Sequence, residues 1–291
     1  MQDHPFDLHR PEAYARWREA RLAAHPRSLD ELTVEIRDPY DLRASEREAL
    51  LTQCRRCNFV VYVLAQRYAA DRGAVRALAR QMGLKRLDHN EGADADDITR
   101  LTVQDDPYHR HYIPYTDRPI AWHTDGYYNA MERQIHGMVL HCARPARQGG
   151  ENRILDHEML YIALRDRDPE TIRALMRADA MTIPPNVVNG VETRPARSGP
   201  VFWTAADGHL HMRYTDRKRN VIWSDAPGMA AAVAALKELL HRPVPWAFRA
   251  RLESGQGLLC NNVLHTRAAF ENGEPGRLLF RARSLDRIQG T

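Results

Sequence analysis

The 291 residues contain only four cysteines, too few for a disulfide framework in a chain of this length. Cys54 and Cys57 form a C-x-x-C, but no second pair or nearby histidine completes a zinc site, so we read them as structural. A reducing, cytoplasmic location is expected. No run of 18 apolar residues occurs, which excludes a helical membrane span. The first residues, MQDHPFDLHRPEAYARWREAR, carry no apolar core of a signal peptide. Excess charge of one sign is also lacking: 42 Lys and Arg stand against 38 Asp and Glu, a net charge of +4. No basic stripe interleaved with aromatics is present, so nucleic acid is not an expected partner. The densest basic cluster, DRKRN at 216–220, reads more simply as a solvated loop than as a phosphate site. Internal repeats and low-complexity linkers are absent too.

What is present is a hydrophobic content of 43%, enough for a sizeable core. Helices are expected at 11–24, with Pro11 at the first position, at 45–54 with a Ser45 cap, at 71–84 ending at a glycine, across 159–177, and at 229–241. Residues 59–64, FVVYVL, are apolar throughout and read as a buried strand. Short strands follow at 98–103, 119–123, 135–143 and 152–156. GPVFWTA and HLHMRY flank a hairpin turn, ADG. The C-terminal part returns to strands in WAFRARL, GLLCNNVLH and RLLFRARSL. This pattern predicts a mainly β protein with flanking helices, built on a double-stranded β-helix (jelly-roll) core. We expect residues 1–291 to form a single domain, with a mixed, mainly helical part at 1–97 packed on it.

Within PIAWHTDGYYN, His123 and Asp125 lie two apart at the end of a strand, where i and i+2 point to the same side. Alone the triplet is weak, because a chain with 14 histidines generates such triplets by chance. His265, in LLCNNVLHTRAAF, lies on a distant predicted strand that a jelly roll can bring close. Two histidines and one carboxylate make the facial triad of non-haem Fe(II) oxygenases, leaving positions open for a 2-oxo acid and O₂. Such a site needs a cation for the far carboxylate of the co-substrate. Arg277 opens the strand after His265 and offers a planar fork that stays charged. By alternation Arg277, Leu279, Arg281 and Arg283 share one face; for Arg283 that face could equally be solvated. His141 reads as a satisfied core histidine, and the H-x-H of His209 and His211 lacks the glutamate of a cupin-like site.

The segments IPYTDRPIAWHTDGYY, LHCARPARQGGENRILD and NNVLHTRAAF through GRLLFRARSLD together resemble the taurine dioxygenase-like (TauD/TfdA-like) family of Fe(II)/2-oxoglutarate-dependent oxygenases, including the γ-butyrobetaine hydroxylases. The resemblance covers about 100–285. It implies Fe(II) held by His123, Asp125 and His265, and 2-oxoglutarate held by Arg277. The family's co-substrate threonine falls on Asn152 here, whose amide could still donate. Arg281 falls where sulfonate-acting members hold an anionic substrate, with Asp156 or Asp216 as alternative protein partners. The butyrobetaine hydroxylases hold a quaternary ammonium by aromatics, a role that Tyr127 and Tyr128 could fill, with ordinary packing as the alternative. Because Asp125 is a carboxylate where halogenating relatives have a small residue, hydroxylation of a small molecule with O₂ is the implied outcome. Desaturation, epoxidation or oxidative cleavage on the same fold is the alternative, and a catalytically silent jelly-roll binding protein is the alternative of another class. A homo-oligomer is left open. Loops 104–118, 184–198 and 215–226 are expected to wall the pocket.

Overall fold

The computed structural model describes residues 4–89, 97–106, 112–188, 190–217 and 221–291. Residues 107–111, 189 and 218–220, within the three expected pocket loops and the basic cluster, lie outside this set. The described chain is mostly β, with six α-helices, and forms two compact units. None of its helices is long and apolar enough to cross a membrane.

One unit comprises Pro26–Ala121, Ile135–Ile154 and Phe248–Thr291. Its largest sheet has six strands in the order Thr33–Ile36, Phe59–Leu64, Gln256–Cys260, Gly137–Arg144, Leu278–Ser284 and Ile98–Leu101. The first pair is parallel, and the central pairings are antiparallel. Alternation sorts the side chains onto two apolar faces. Phe59, Val61, Met138, Leu140, Cys142, Leu258, Cys260 and Leu279 join one core cluster, which also takes Ile154, Phe248 and Ala250 from a second, four-stranded sheet. That sheet runs Ala247–Ala250, Asn152–Leu155, Leu264–Arg267 and Ile120–His123. This is the sandwich expected of a jelly roll. The opposite face of the large sheet, with Val60, Tyr62, Val139, Leu259, Phe280 and Ala282, is covered by Leu50, Leu51, Leu78 and Ala79 of the helices Ala44–Cys57 and Arg72–Gln81. A strand buried on both faces cannot alternate polar and apolar residues, which is why FVVYVL reads as it does.

Two local expectations change. Ser45 is not a cap, because the helix Ala44–Cys57 begins one residue before it. Glu46 instead accepts from the backbone amides of Arg43 (2.9 Å) and Arg37 (2.8 Å). GLLCNNVLH is not one strand: Gln256–Cys260 belongs to the six-stranded sheet and Leu264–Arg267 to the four-stranded one. Asn262 breaks the run with φ of 49°, the left-handed region that asparagine tolerates better than most residues. All four cysteines are buried and free, as a structural role for Cys54 and Cys57 requires.

The other unit comprises Met1–His25, Trp122–Gln134 and Leu155–Ala247. It holds the helices Pro11–Ala24, His157–Arg167, Pro169–Leu175 and Met229–His241. Phe202–Thr204 and Leu210–Met212 form the expected hairpin. The segment expected as a plain loop at 184–198 instead contains the short antiparallel strands Asn186–Val188 and Val191–Arg194. Next to them Arg197–Gly199 pairs with Met181–Ile183.

His141 lies in the core of the first unit. Its Nε2 is 2.9 Å from the Ala69 carbonyl, which can only accept, so Nε2 carries the proton and Nδ1 accepts from the Tyr62 hydroxyl at 3.1 Å. Burial pushes its pKa below the ordinary value of 6.5. A depressed histidine pKa stabilises the fold above the unfolded value and loses that contribution as pH falls through the folded one. Thermal melts from pH 7 to pH 5 are therefore expected to show falling stability, with a shallower fall in His141→Gln.

Candidate active site

The His-x-Asp segment is fixed through its middle residue. Thr124 donates its amide to the Tyr214 carbonyl (3.0 Å), and its hydroxyl accepts from the Tyr214 amide (3.1 Å). Trp122, one residue before the motif, donates Nε1 to the Leu240 carbonyl (2.9 Å), and its own carbonyl accepts from the Asp216 amide (2.8 Å). With the backbone held on both sides of His123, its side chain and that of Asp125 project together. His123 Nε2 and Asp125 Oδ1 are 3.7 Å apart, with the carboxylate only 4% exposed. That separation is too long for a good hydrogen bond and suits two donors turned toward a common point.

His265 sits on Leu264–Arg267 and is buried. Its Nδ1 lies 3.0 Å from the Val263 carbonyl. The carbonyl can only accept, so Nδ1 bears the proton and the Nε2 lone pair is left for a metal, the arrangement typical of ligating histidines. The donor atoms of His123, Asp125 and His265 all lie within 4.8 Å of one another, and no other such trio occurs among the described residues. Two imidazoles and a carboxylate fit a divalent first-row metal such as iron. Among the described residues the rival H-x-H does not gather a third donor; His211 is buried and stacks on Trp203 at 5.4 Å.

Arg277 is 6% exposed. Gly150, the second glycine of the Gly-Gly pair, lies against Arg277 Nε, and its φ of +79° is the left-handed conformation that favours glycine. The Phe270 ring lies beneath it, 4.9 Å from centroid to Cζ. Burial pushes the Arg277 pKa down to about 10, which still leaves it charged at neutral pH. Among the described residues no carboxylate pairs with it. An anion placed against it would stabilise a buried cation of this kind.

The other expected residues fall as follows. Asn152 is buried and donates Nδ2 to the Thr266 carbonyl at 2.7 Å, so part of its donor capacity is spent on the neighbouring strand. Arg281 and Arg283 alternate with Phe280 and Ala282, which pack under the helices, and so share the Leu279 face. Arg283 is not solvated: it is buried against Asp88. Neither acid considered for Arg281 is idle. Asp156 caps His157–Arg167 and pairs with Arg21 at 2.7 Å; Asp216 pairs with His241 at 2.6 Å and accepts from Tyr214. Tyr127 and Tyr128 meet edge to face, 5.2 Å between centroids.

Sequence reasoning missed Arg267, two residues beyond His265. Its guanidinium donates to the carbonyls of Ile113 (3.2 Å), Pro114 (3.1 Å), Thr116 (2.6 Å) and Arg118 (2.5 Å), gathering the segment that leads into Ile120–His123. The signal was available: Arg267 follows His265 at i+2 on a strand, on the side that must be buried. Burial pushes its pKa down to about 9, with the Arg277 charge adding to the shift. Lysine has three donors around one atom and cannot span four carbonyls. Arg267→Lys is expected to lower stability by about 2–3 kcal/mol in urea titration, without change in the slope that reports surface exposed.

Comparison with known proteins agrees with this geometry. The profile of the Taurine catabolism dioxygenase TauD, TfdA family matches residues 20–283. A uridine-5'-phosphate dioxygenase from Streptomyces sp is 30% identical over 203 residues, 65% of this chain and 70% of the relative. One from Amycolatopsis sp is 27% identical over 60% of this chain, and the match spans just under two thirds of that relative's length, 64%. Among solved structures, asparagine oxygenase in complex with Fe(II), 2S,3S-3-hydroxyasparagine and succinate aligns over 98% of this chain and 86% of its own, with TM-score 0.59 and 16% identity. The non-haem iron oxygenase OrfP in complex with Fe and α-ketoglutaric acid aligns over 84% and 81%, with TM-score 0.61 and 16% identity. At that identity the structures speak for the fold; the profile, spanning most of the chain, establishes that this protein belongs to the TauD, TfdA family of dioxygenases.

Proposed function

We propose that this protein is a non-haem Fe(II)/2-oxoglutarate-dependent dioxygenase that hydroxylates a small molecule bearing an anionic group. The observation that carries the proposal is the convergence of His123, Asp125 and His265 donor atoms within 4.8 Å. Family membership and the ligands of the solved neighbours support it: iron with α-ketoglutaric acid in one, Fe(II) with succinate in another.

In this reading the side chains of His123, Asp125 and His265 would hold Fe(II). Iron bound there would supply, with O₂ and 2-oxoglutarate, the oxidising power that no protein side chain has. The chain's own contribution is placement. The Thr124–Tyr214 pair and the Val263 carbonyl set the orientation of the ligands before any metal arrives. Arg277 receives the far carboxylate of 2-oxoglutarate as a fork pairing with two oxygens, in a buried setting where that pair is strong. Asn152, with one amide hydrogen committed to the Thr266 carbonyl, would donate its other to the same co-substrate. Arg281, on the same strand, would meet an anionic substrate group, and Tyr127 and Tyr128 would border the substrate. Succinate formed only in the presence of Fe(II) and a substrate separates the enzyme from a silent jelly-roll binder, and product mass separates hydroxylation from desaturation or cleavage.

His265→Ala is expected to abolish Fe(II)-dependent succinate formation while circular dichroism stays native, since apolar packing builds the sandwich; retained turnover would reject the triad. Arg277→Ala is expected to raise the KM for 2-oxoglutarate by an amount equivalent to about 2–5 kcal/mol, and Arg277→Lys to restore only part of it.

A further inference from the structure

The unit that carries the His-x-Asp motif also carries a cluster of arginines that the reaction does not use. Arg213 organises it. Fully buried, this guanidinium donates to the carbonyls of Tyr127 (2.7 Å), Met181 (2.8 Å), Arg197 (2.7 Å) and, more weakly, Gly199 (3.4 Å). It thereby fastens the residue two past Asp125 to the strands Met181–Ile183 and Arg197–Gly199.

Two further arginines lie by Tyr127, and a third, Arg197, lies by one of them. Arg217 donates Nη1 to the Tyr127 hydroxyl at 3.2 Å. Arg194 lies within electrostatic reach of Tyr127, Tyr128 and Arg197; burial, and then the Arg197 charge, push its pKa down. Its own hydrogen bonds go to the carbonyls of Pro184 (2.7 Å) and Pro195 (2.9 Å). Arg197 keeps a buried Nε with no hydrogen-bond partner. Among the described residues, no carboxylate pairs with Arg194, Arg197 or Arg217. The nearby Asp216 is engaged by His241 and Tyr214. Arg194 and Arg197 repel one another, a cost that a bound anion would remove, and Arg217 approaches the same Tyr127 through its hydroxyl. The same charges oppose a quaternary ammonium beside the tyrosines.

We propose that Arg194, Arg197 and Arg217, set around Tyr127 and Tyr128, bind the phosphate of a phosphomonoester substrate. The assignment to substrate rests on the oxygenase reading; the anion site itself does not. A phosphomonoester answers three guanidinium groups better than a carboxylate does, because it carries close to two negative charges at neutral pH and three acceptor oxygens. Arginine forks match that geometry. Arg217 belongs to the basic cluster that reads from sequence as a solvated loop, and its bond to Tyr127 gives it a defined position.

The test is calorimetric titration of methyl phosphate into the protein loaded with Fe(II) and saturating 2-oxoglutarate under anaerobic conditions. We expect saturable binding that weakens at least tenfold in Arg217→Ala, recovers in part in Arg217→Lys, and strengthens between pH 5 and pH 7 as the ester loses its second proton. Arg217 is exposed, so its replacement does not threaten the fold, and 2-oxoglutarate affinity should be unchanged. Undetectable methyl phosphate binding, equal binding in Arg217→Ala, or methyl sulfate binding as tightly as methyl phosphate would overturn the proposal. Failure of 2-oxoglutarate itself to bind would count instead against the oxygenase reading.

Discussion

A guanidinium taken out of water must be met by oxygen, and the chain around the candidate site is arranged by this requirement. Leaving such a charge unanswered in an apolar interior costs several kcal/mol, so each buried arginine recruits acceptors and fixes whatever carries them. Arg213 recruits four carbonyls, Arg267 another four, and Arg283 recruits Asp88. Arg165 takes the carbonyls of Pro5 and Asp7 and the Tyr161 hydroxyl. Against this background Arg277 stands out, buried beside Gly150 and Phe270 with no protein carboxylate among the described residues. By the same rule, the role proposed for Arg277 would supply its guanidinium with oxygen from a bound carboxylate.

Apolar packing and polar anchoring divide the work. The sandwich forms because strands buried on both faces sort their side chains into two apolar clusters. That sorting fixes which way the side chains of Leu278–Ser284 point, but it does not fix loops. The His-x-Asp segment is held instead by paired hydrogen bonds to Tyr214 and by Trp122. At the other ligand, the chain leaves one sheet at Cys260 and enters the next at Leu264. Asn261 and Asn262 manage the crossing by bonding to Asn58, Thr291 and the Ile135 carbonyl.

Much of this was legible in the sequence because it follows from local rules. The strand 59–64 and the helices 11–24 and 229–241 appear with the expected bounds, since periodicity, proline position and apolar runs act within a few residues. His123, Asp125 and His265 could be named because their residue types and their place on strands are chemically restrictive. What the sequence concealed depends on distant partners. Nothing near Arg283 announces Asp88, 195 residues away, and nothing in the 181–199 stretch announces that its carbonyls will answer Arg213. The strands at 186–194 were hidden because they are short and exposed, with Val187, Val188 and Val191 facing water, so burial leaves no pattern to read.

The choice of acceptor at Arg213 and Arg267 has a consequence for how this protein can change. Both hold their neighbours by main-chain carbonyls, and a carbonyl is the same whatever side chain its residue bears. Exposed residues of these stretches, such as Asp117, Glu192 and Thr193, can therefore exchange side chains without loosening the frame around the ligand-bearing strand. Tyr115, Met181 and Ile183 are buried, and at Gly199 a Cβ would meet Met131 Sδ at 2.7 Å and Arg213 at 3.4 Å. The scaffold is thus insulated from the identity of the groups it presents, and selection for a new substrate could act on those loops residue by residue while the oxidising machinery stayed in register.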